Sequence, residues 1–425
     1  MGMTASDEAP RPVPPRLHIR PRRGWINDPN AVVRWNGRWH VFFQHNPYAA
    51  VHDRIHWGHV SSEDLVTWHE HPVAFGPEPG GPDRYGCWTG VFVTGLDRPA
   101  VAYSGVIDAS GESTICLRYG SEDLETWDSP IIVGTTPHDA GVTVMRDPFV
   151  FSWRGRRWGI LGARLGADLP AVLLYSCDDI ENWEFVDVWM TGDGPLWSSE
   201  DSDMWECPQV VWVDEEPVVI ISLQLEGLPG AVLAVEGSVT EEDGAPRFTP
   251  ASVDRLDGRL WFYAPQAVQD QRTPLMFGWI LQDNVPGDGD QVAGCLTFPR
   301  RLGRRADGTL VTRLDPAVDR LRTGPPTRVP AGSGRPLPAA AVVDVVSVAT
   351  DMAGDIVLHG GGSTIVVPPV AGTTAWTDGE VVEVFPGDGG LPSAIRGIGA
   401  WPWMLEVPEG AEVTVTVLGL PSAAR

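Results

Sequence analysis

Asp64-Leu65-Val66-Thr67-Trp68 returns as Asp123-Leu124-Glu125-Thr126-Trp127 and again as Asp179-Ile180-Glu181-Asn182-Trp183. The copies are 59 and then 56 residues apart. An echo at a near-constant step marks one supersecondary unit repeated along the chain, because each copy needs neighbours to bury its apolar face. A second pair supports the register: Trp35-Asn36-Gly37-Arg38-Trp39 is echoed by Trp153-Arg154-Gly155-Arg156-Arg157-Trp158, about two steps on.

Followed from Asp28-Pro29, the step reaches Cys87-Trp88, Asp147-Pro148, Glu206-Cys207-Pro208 and Pro265-Gln266, at intervals of 59, 60, 59 and 59 residues. Short strand-like runs such as Trp39–Gln44, Val101–Ser104, Phe149–Trp153 and Val218–Leu223 lie between Gly, Asp and Asn at hairpin spacing. Asn36-Gly37 is a tight-turn signal. Helical periodicity is scarce, so the class is all-β. Five units of about 59 residues fill roughly positions 20 to 315. Five lies within the usual four to eight blades of a propeller, so the expectation is a five-bladed β-propeller over residues 17–315, with a β-solenoid as the rival. Residues 1–16 read as a flexible N-terminus and the Pro/Gly-rich stretch 316–338 as a linker. The strand-like runs in 339–425 read as a small β-sandwich.

Composition narrows the chemistry. The chain has 425 residues, 56 acidic and 31 basic, for a net charge of −25, and every basic residue is arginine. Without lysine there is no Schiff base, no pyridoxal anchor and no lysine-bearing phosphate loop. The acidic balance argues against a nucleic-acid partner. No apolar run approaches the roughly 20 residues of a membrane span. The polar, proline-rich beginning has no apolar signal core, and the five cysteines are widely spaced with no CxxC pair. Together these point to a cytoplasmic protein with reduced thiols and no structural zinc or cofactor.

In a propeller, equivalent positions on the innermost strands face one axis. Asp28, Asp147 and Glu206 should therefore converge at one end of the channel. Carboxylates flanking a sugar bond are the standard device of glycoside hydrolysis, one attacking and the other protonating the leaving oxygen. Their environments must differ. Asn27 and Asn30 flank Asp28 and could hold it ionised. Trp205 and Cys207-Pro208 give Glu206 an apolar setting that favours a protonated acid, and Arg146 beside Asp147 would keep that aspartate charged. The 19 tryptophans suit stacking on sugar faces. A lone Asp-Pro is a common turn dipeptide; three acids in register with a repeat are not explained that way.

Trp25-Ile26-Asn27-Asp28-Pro29-Asn30, Arg146-Asp147-Pro148 and Trp205-Glu206-Cys207-Pro208 resemble the three signatures of glycoside hydrolase family 32, the invertases, sucrose-6-phosphate hydrolases and fructanases. The resemblance runs from about Leu17 to Leu302 and includes Phe42-Phe43-Gln44-His45-Asn46-Pro47, Trp57-Gly58-His59, Cys87-Trp88-Thr89-Gly90, Phe262-Tyr263-Ala264-Pro265-Gln266 and Gly294-Cys295-Leu296-Thr297-Phe298-Pro299-Arg300. It implies a five-bladed propeller followed by a β-sandwich. It also implies a retaining β-fructofuranosidase acting on a small fructoside, with no metal; the chain is expected as a monomer or homodimer. Asp28 would be the nucleophile, Glu206 the acid/base and Asp147 the transition-state stabiliser. Asn27, Gln44, Trp57, Trp88, Thr89 and Arg146 would line the fructose pocket, with Tyr263 and Trp279 near the acid. A retaining pair should lie about 5–5.5 Å apart.

Four positions depart from the family pattern: Ala31 where glycine is usual, His52 where an aromatic borders the pocket, and Gln209 and Trp261 where aspartate is common. These bear on the aglycone. A fructosyltransferase or a fructan hydrolase of the same mechanism is the alternative, and a non-catalytic carbohydrate-binding propeller is a further one. Seven of the ten histidines fall between His40 and His71. His69-x-His71 could place two ligands on one face, but no third histidine falls at metal spacing, so no metal site is expected.

Overall fold

The computed structural model describes residues 13–285, 291–360, 362–397 and 402–421. The expectation of a flexible N-terminus falls mainly on residues 1–12, outside the described residues. The chain divides into two compact units, Ile19–Asp315 and a second one holding Pro316–Arg425 with the N-terminal residues to His18.

The larger unit is a five-bladed β-propeller. Blade 1 holds strands Gly24–Trp35, Arg38–Asn46, His56–Ser62 and His69–Glu70; blade 2 runs from Gly86–Phe92 to Ile131–Thr135. Blade 3 runs from Val142–Trp153 to Glu184–Thr191, and blade 4 from Met204–Val213 to Ala245–Arg255. Blade 5 runs from Phe262–Val268 to Leu310–Leu314. The first strand of each blade is innermost and touches the first strands of its neighbours, and the fifth meets the first. The ring is closed by a parallel pairing of Gly24 with Val292 and Trp25 with Ala293. Closure leaves the propeller without an open solenoid end, which excludes the rival.

Local chemistry explains the repeat. Trp35 pairs with Arg38 across Asn36-Gly37, and Trp153 with Arg156 across Arg154-Gly155. Both turns have positive φ at their two central residues (47° and 81°; 50° and 76°), the twist-matched hairpin geometry. The recurring aspartate caps the turn between the third and fourth strands. Asp64 accepts the amides of Val66 and Thr67 at 3.0 and 2.7 Å, Asp123 that of Glu125 at 3.1 Å, and Asp179 that of Glu181 at 3.2 Å. Ala31 is buried with φ 45°, a left-handed conformation that glycine adopts without strain.

Every innermost strand is interrupted at the same place. The register with its neighbour shifts between Ile26 and Pro29, Cys87 and Gly90, Arg146 and Phe149, Glu206 and Gln209, and Tyr263 and Gln266. Such bulges bend a strand and re-aim its side chains. Asp147, Cys207 and Ala264, each preceding a proline, sit in the bulges at φ 61°, 48° and 43°.

The second unit is a β-sandwich. One sheet orders Thr327–Val329, Ala411–Val417, Ala340–Val348, Thr374–Asp378, Val381–Phe385 and Ser393–Arg396; the other orders Gly332–Pro336, Met404–Val407, Ile356–Gly360 and Ser363–Val367. Val343, Leu358, Val382 and Leu405 are among the side chains buried between them. The stretch read as a linker therefore contributes an edge strand to each sheet. Edges tolerate Pro and Gly because no ladder bond is needed on the outer side, so that composition concealed two strands. Within this unit, Asp378 accepts the amides of Arg16, Leu17 and His18 at 2.9, 2.7 and 3.1 Å and faces His18 Nδ1 at 2.8 Å; His18 Nε2 lies 3.2 Å from Glu383.

Candidate active site

The five interruptions set side chains around one cavity of about 600 Å³ at the channel mouth. Asp28 comes from the first, Trp88 from the second and Asp147 from the third, while Glu206 and Tyr263 flank the fourth and fifth. Asn27, Asp28, Gln44, His52, Trp88, Arg146, Asp147, Glu206, Tyr263 and Trp279 all line it.

Asp28 is held by donors on both oxygens. Asn27 Nδ2 donates to Oδ1 at 2.9 Å, while Thr89 Oγ1 and Gln44 Nε2 donate to Oδ2 at 2.6 and 3.0 Å. Trp25 Nε1 in turn fixes Asn27 Oδ1 at 2.7 Å. Burial pushes the Asp28 carboxyl up to about 6, with Glu206 adding to the rise and the hydrogen bonds from Thr89 and Asn27 opposing it. Asp147 is pushed up to about 7 by burial and by Glu206, with Arg146 opposing. Its Oδ2 accepts the Cys207 amide at 3.0 Å, and its own amide donates to Ser104 Oγ at 2.7 Å.

Glu206 has different partners. Arg146 Nε and Nη2 lie 2.8 and 2.7 Å from Oε1, and Tyr263 OH lies 2.5 Å from Oε2. Arg146 therefore pairs with Glu206 rather than with the aspartate beside it, and the expected apolar setting of Glu206 is replaced by an ion pair. Gln224 Oε1 accepts the second arm of Arg146 at 3.0 Å. Tyr263 OH also lies 2.8 Å from the carbonyl oxygen of Leu223. Tyrosine has one proton for these two acceptors. It can therefore donate to only one of them at a time. Gly162 keeps this corner open, because a Cβ there would lie 2.2 Å from the Trp205 carbonyl oxygen.

Two residues expected in the lining lie behind it. Trp57 is fully buried and donates its indole N–H to the Trp88 carbonyl at 3.0 Å. It positions Trp88 and does not face the cavity. Thr89 is buried against Asp28. Gln209, expected to bear on the aglycone, is buried at a blade junction, where it donates to the Pro265 carbonyl and accepts the Ala267 amide at 2.6 Å. Trp261 does line the cavity, with Gln224, Leu228, Pro229, Leu260, Leu281 and Asp283. Sequence reasoning missed this outer wall because it comes from loops and from second and third strands outside the repeating signatures. Only the departure at Trp261 pointed to it.

Away from the cavity, blade 1 brings to His71 two histidines that no linear metal spacing links to it. A ring nitrogen from each of His40, His59 and His71 lies within 4.8 Å of the other two. They are 19 and 12 residues apart in sequence and are brought together by strand pairing. His69 meets His71 edge-on, with ring centroids 4.8 Å apart.

The profile of the Glycosyl hydrolases family 32 N-terminal domain matches residues 18–313. The chain is 30% identical to a sucrose-6-phosphate hydrolase of Zymomonas mobilis over 68% of its own length and 59% of the relative's. It is 32% identical to a raffinose invertase of Escherichia coli over 72% and 66%. It thus spans about three fifths to two thirds of these relatives. Its structure is similar to the GH32 beta-fructofuranosidase BmSUC1 of Bombyx mori, with a TM-score of 0.80 at 23% identity over 96% of this chain and 94% of that one. It is also similar to the sucrose-6-phosphate hydrolase of Lactobacillus gasseri, with a TM-score of 0.79 at 21% identity over 95% and 93%. With its repeat, its three signatures and its profile match in agreement, the chain belongs to glycosyl hydrolase family 32.

Proposed function

We propose that this protein is a retaining β-fructofuranosidase that releases fructose from unphosphorylated sucrose or short fructo-oligosaccharides. The observation that carries this reading is the convergence of Asp28, Asp147 and Glu206 on one cavity mouth, each with a distinct set of partners. Asp28 attacks the anomeric carbon of the fructosyl unit. The bond to the leaving oxygen breaks as Glu206 gives it a proton, leaving a fructosyl ester on Asp28. Glu206 then takes a proton from water, the resulting hydroxide attacks the same carbon, and Asp28 leaves as a carboxylate. Asp147 accepts hydrogen bonds from fructose hydroxyls. Trp88 and Trp279 supply flat apolar faces, and Asn27 and Gln44 orient the nucleophile.

The outer wall supports an unphosphorylated aglycone. Arg146 is the one lysine or arginine in the described lining, and Glu206 and Gln224 engage it. Asp283 adds negative charge, while Leu228 and Leu260 present exposed apolar surface. A phosphate group would find no uncommitted cation there. Cys87, Cys116, Cys177 and Cys207 are buried free thiols, which fits a reducing, cytoplasmic setting.

The test is fructose release from sucrose, sucrose-6-phosphate, kestose, inulin and levan, with Asp28→Ala and Glu206→Ala as controls. Sucrose should exceed its phosphate ester at least tenfold in kcat/KM, and both variants should be inactive but folded. A preference for the ester that collapses in Arg259→Ala, the exposed arginine beside Leu260, would overturn the aglycone assignment. Longer oligomers at high sucrose would mark transfer in place of hydrolysis.

A further inference from the structure

The histidines of blade 1 form a cluster that the proposed reaction does not use. His40 stands on strand Arg38–Asn46, His59 on strand His56–Ser62, and His71 immediately follows strand His69–Glu70. Strand pairing sets His40 opposite Ser61, and the His71 amide donates to the His59 carbonyl at 2.9 Å. The three side chains thus share one face of the sheet. His40 Nδ1 and His59 Nε2 are 2.9 Å apart, and the His59 and His71 rings stack with centroids 4.1 Å apart. Phe42 stacks on His59 with centroids 4.1 Å apart. His40 and His59 are buried; His71 is partly exposed, which gives the cluster a route to solvent.

Hydrogen bonds prepare His71 as a ligand. Its Nδ1 lies 2.8 Å from Glu125 Oε1, an acceptor, so Nδ1 carries the proton. Nε2 is left with its lone pair, and the Ser61 hydroxyl donates to it at 2.8 Å. A carboxylate on the far nitrogen is the arrangement that orients and strengthens metal-ligating histidines. Between His40 and His59 one nitrogen must hold a proton for the 2.9 Å contact to form. A metal ion can replace that proton, with the nitrogens separating to the roughly 3.3 Å that two bonds of about 2.0–2.1 Å require in tetrahedral coordination.

We propose that His40, His59 and His71 form a binding site for a borderline divalent transition ion such as Zn²⁺, Co²⁺ or Ni²⁺, with Ser61 Oγ or water as a fourth ligand. Three imidazoles select such ions over Mg²⁺ or Ca²⁺, which need oxygen donors. The cation facing the cluster, Arg38, is paired with Glu63 while its Nε donates to Ser61 at 3.3 Å. The site spans the blade's second, third and fourth strands, and none of its three histidines lines the cavity, so the proposal stands apart from the fructosidase reading.

The experiment uses metal-free, untagged full-length protein titrated with Zn²⁺ by calorimetry and with Co²⁺ by absorbance. One equivalent of each should bind, Co²⁺ should give the visible bands of a tetrahedral ion, and Zn²⁺ should raise the melting temperature. Glu125→Gln, on a partly exposed carboxylate whose change spares the fold, should weaken uptake about 10–100-fold. His71→Ala should abolish it. Absence of stoichiometric uptake by the wild type, or uptake unchanged in both variants, overturns the proposal.

Discussion

Arg146 holds Glu206, not its sequence neighbour Asp147: both Nε and Nη2 lie within 2.8 Å of one Glu206 oxygen. The pairing sorts the three carboxylates. Glu206 has a cation and a phenol, Asp28 has neutral donors, and Asp147 has a backbone amide. Arg146→Met should therefore lower kcat about 100-fold or more with a smaller change in KM, because an arm that orients the acid is lost while the pocket's shape is kept. A change confined to KM, measured by steady-state kinetics on sucrose, would show that Arg146 only binds substrate.

The pH profile of kcat/KM should fall on its acid side near pH 6. In the proposed reaction Asp28 attacks as a carboxylate, and burial raises it to about 6, so the reactive form is lost as pH drops through that value. An acid limb near pH 4 would show that substrate-free Asp28 is not desolvated.

Asp147→Asn should abolish turnover and yet raise the melting temperature at pH 7. The native carboxyl is lifted to about 7 by burial and by Glu206. Its contribution to stability is thus present below the ordinary 3.8 and is lost as pH rises through about 7. Asparagine carries no such loss and can still accept the Cys207 amide. Thermal melts at pH 5 and pH 7 should show the gain growing with pH.

Tyr263→Phe should cut kcat about 10–100-fold and leave the Leu223 carbonyl short of a donor. Glu206, the proposed acid/base, loses the phenol that contacts its Oε2. Single-turnover kinetics should place the loss in both formation and breakdown of the fructosyl-enzyme, since the proposed reaction uses Glu206 in both steps.

His18 should make the sandwich sensitive to alkali. Burial lowers its pKa, but hydrogen bonds to Asp378 and Glu383 outweigh this and lift it to about 9. Its contribution is complete below the ordinary 6.5 and is lost as pH rises through about 9; a shift of this size corresponds to about 3 kcal/mol. Denaturant titrations from pH 6.5 to 10 should show the loss, and His18→Gln should flatten it.

The blade count and the convergence of three acids on one cavity were legible because both rest on a period. A carboxylate at a fixed phase of a closed repeat has one place to go, so Asp28, Asp147 and Glu206 could be brought together without coordinates. Partners within the site were less legible. Arg146 adjoins Asp147 in sequence, but the bulge at Asp147 turns the two side chains apart. Trp57 and Gln209 sit inside family-like motifs, yet each is committed to backbone groups of a neighbouring strand or blade. The histidine cluster was hidden because its members meet across strands, at separations that no linear spacing rule describes. The two edge strands in the supposed linker were hidden by prolines that only an edge accepts.

The parallel pairing of Gly24–Trp25 with Val292–Ala293 also sets a schedule. The strand that carries Asp28, three residues beyond Trp25, cannot find its last partner until some 270 further residues have left the ribosome. Earlier blades can form as local hairpins, but a contact this distant in sequence is among the slowest to form. A nascent or truncated chain would hold every one of its first four blades and still leave Asp28 on an unclosed edge. Hydrolytic competence would thus arrive in one step, with ring closure, rather than grow blade by blade.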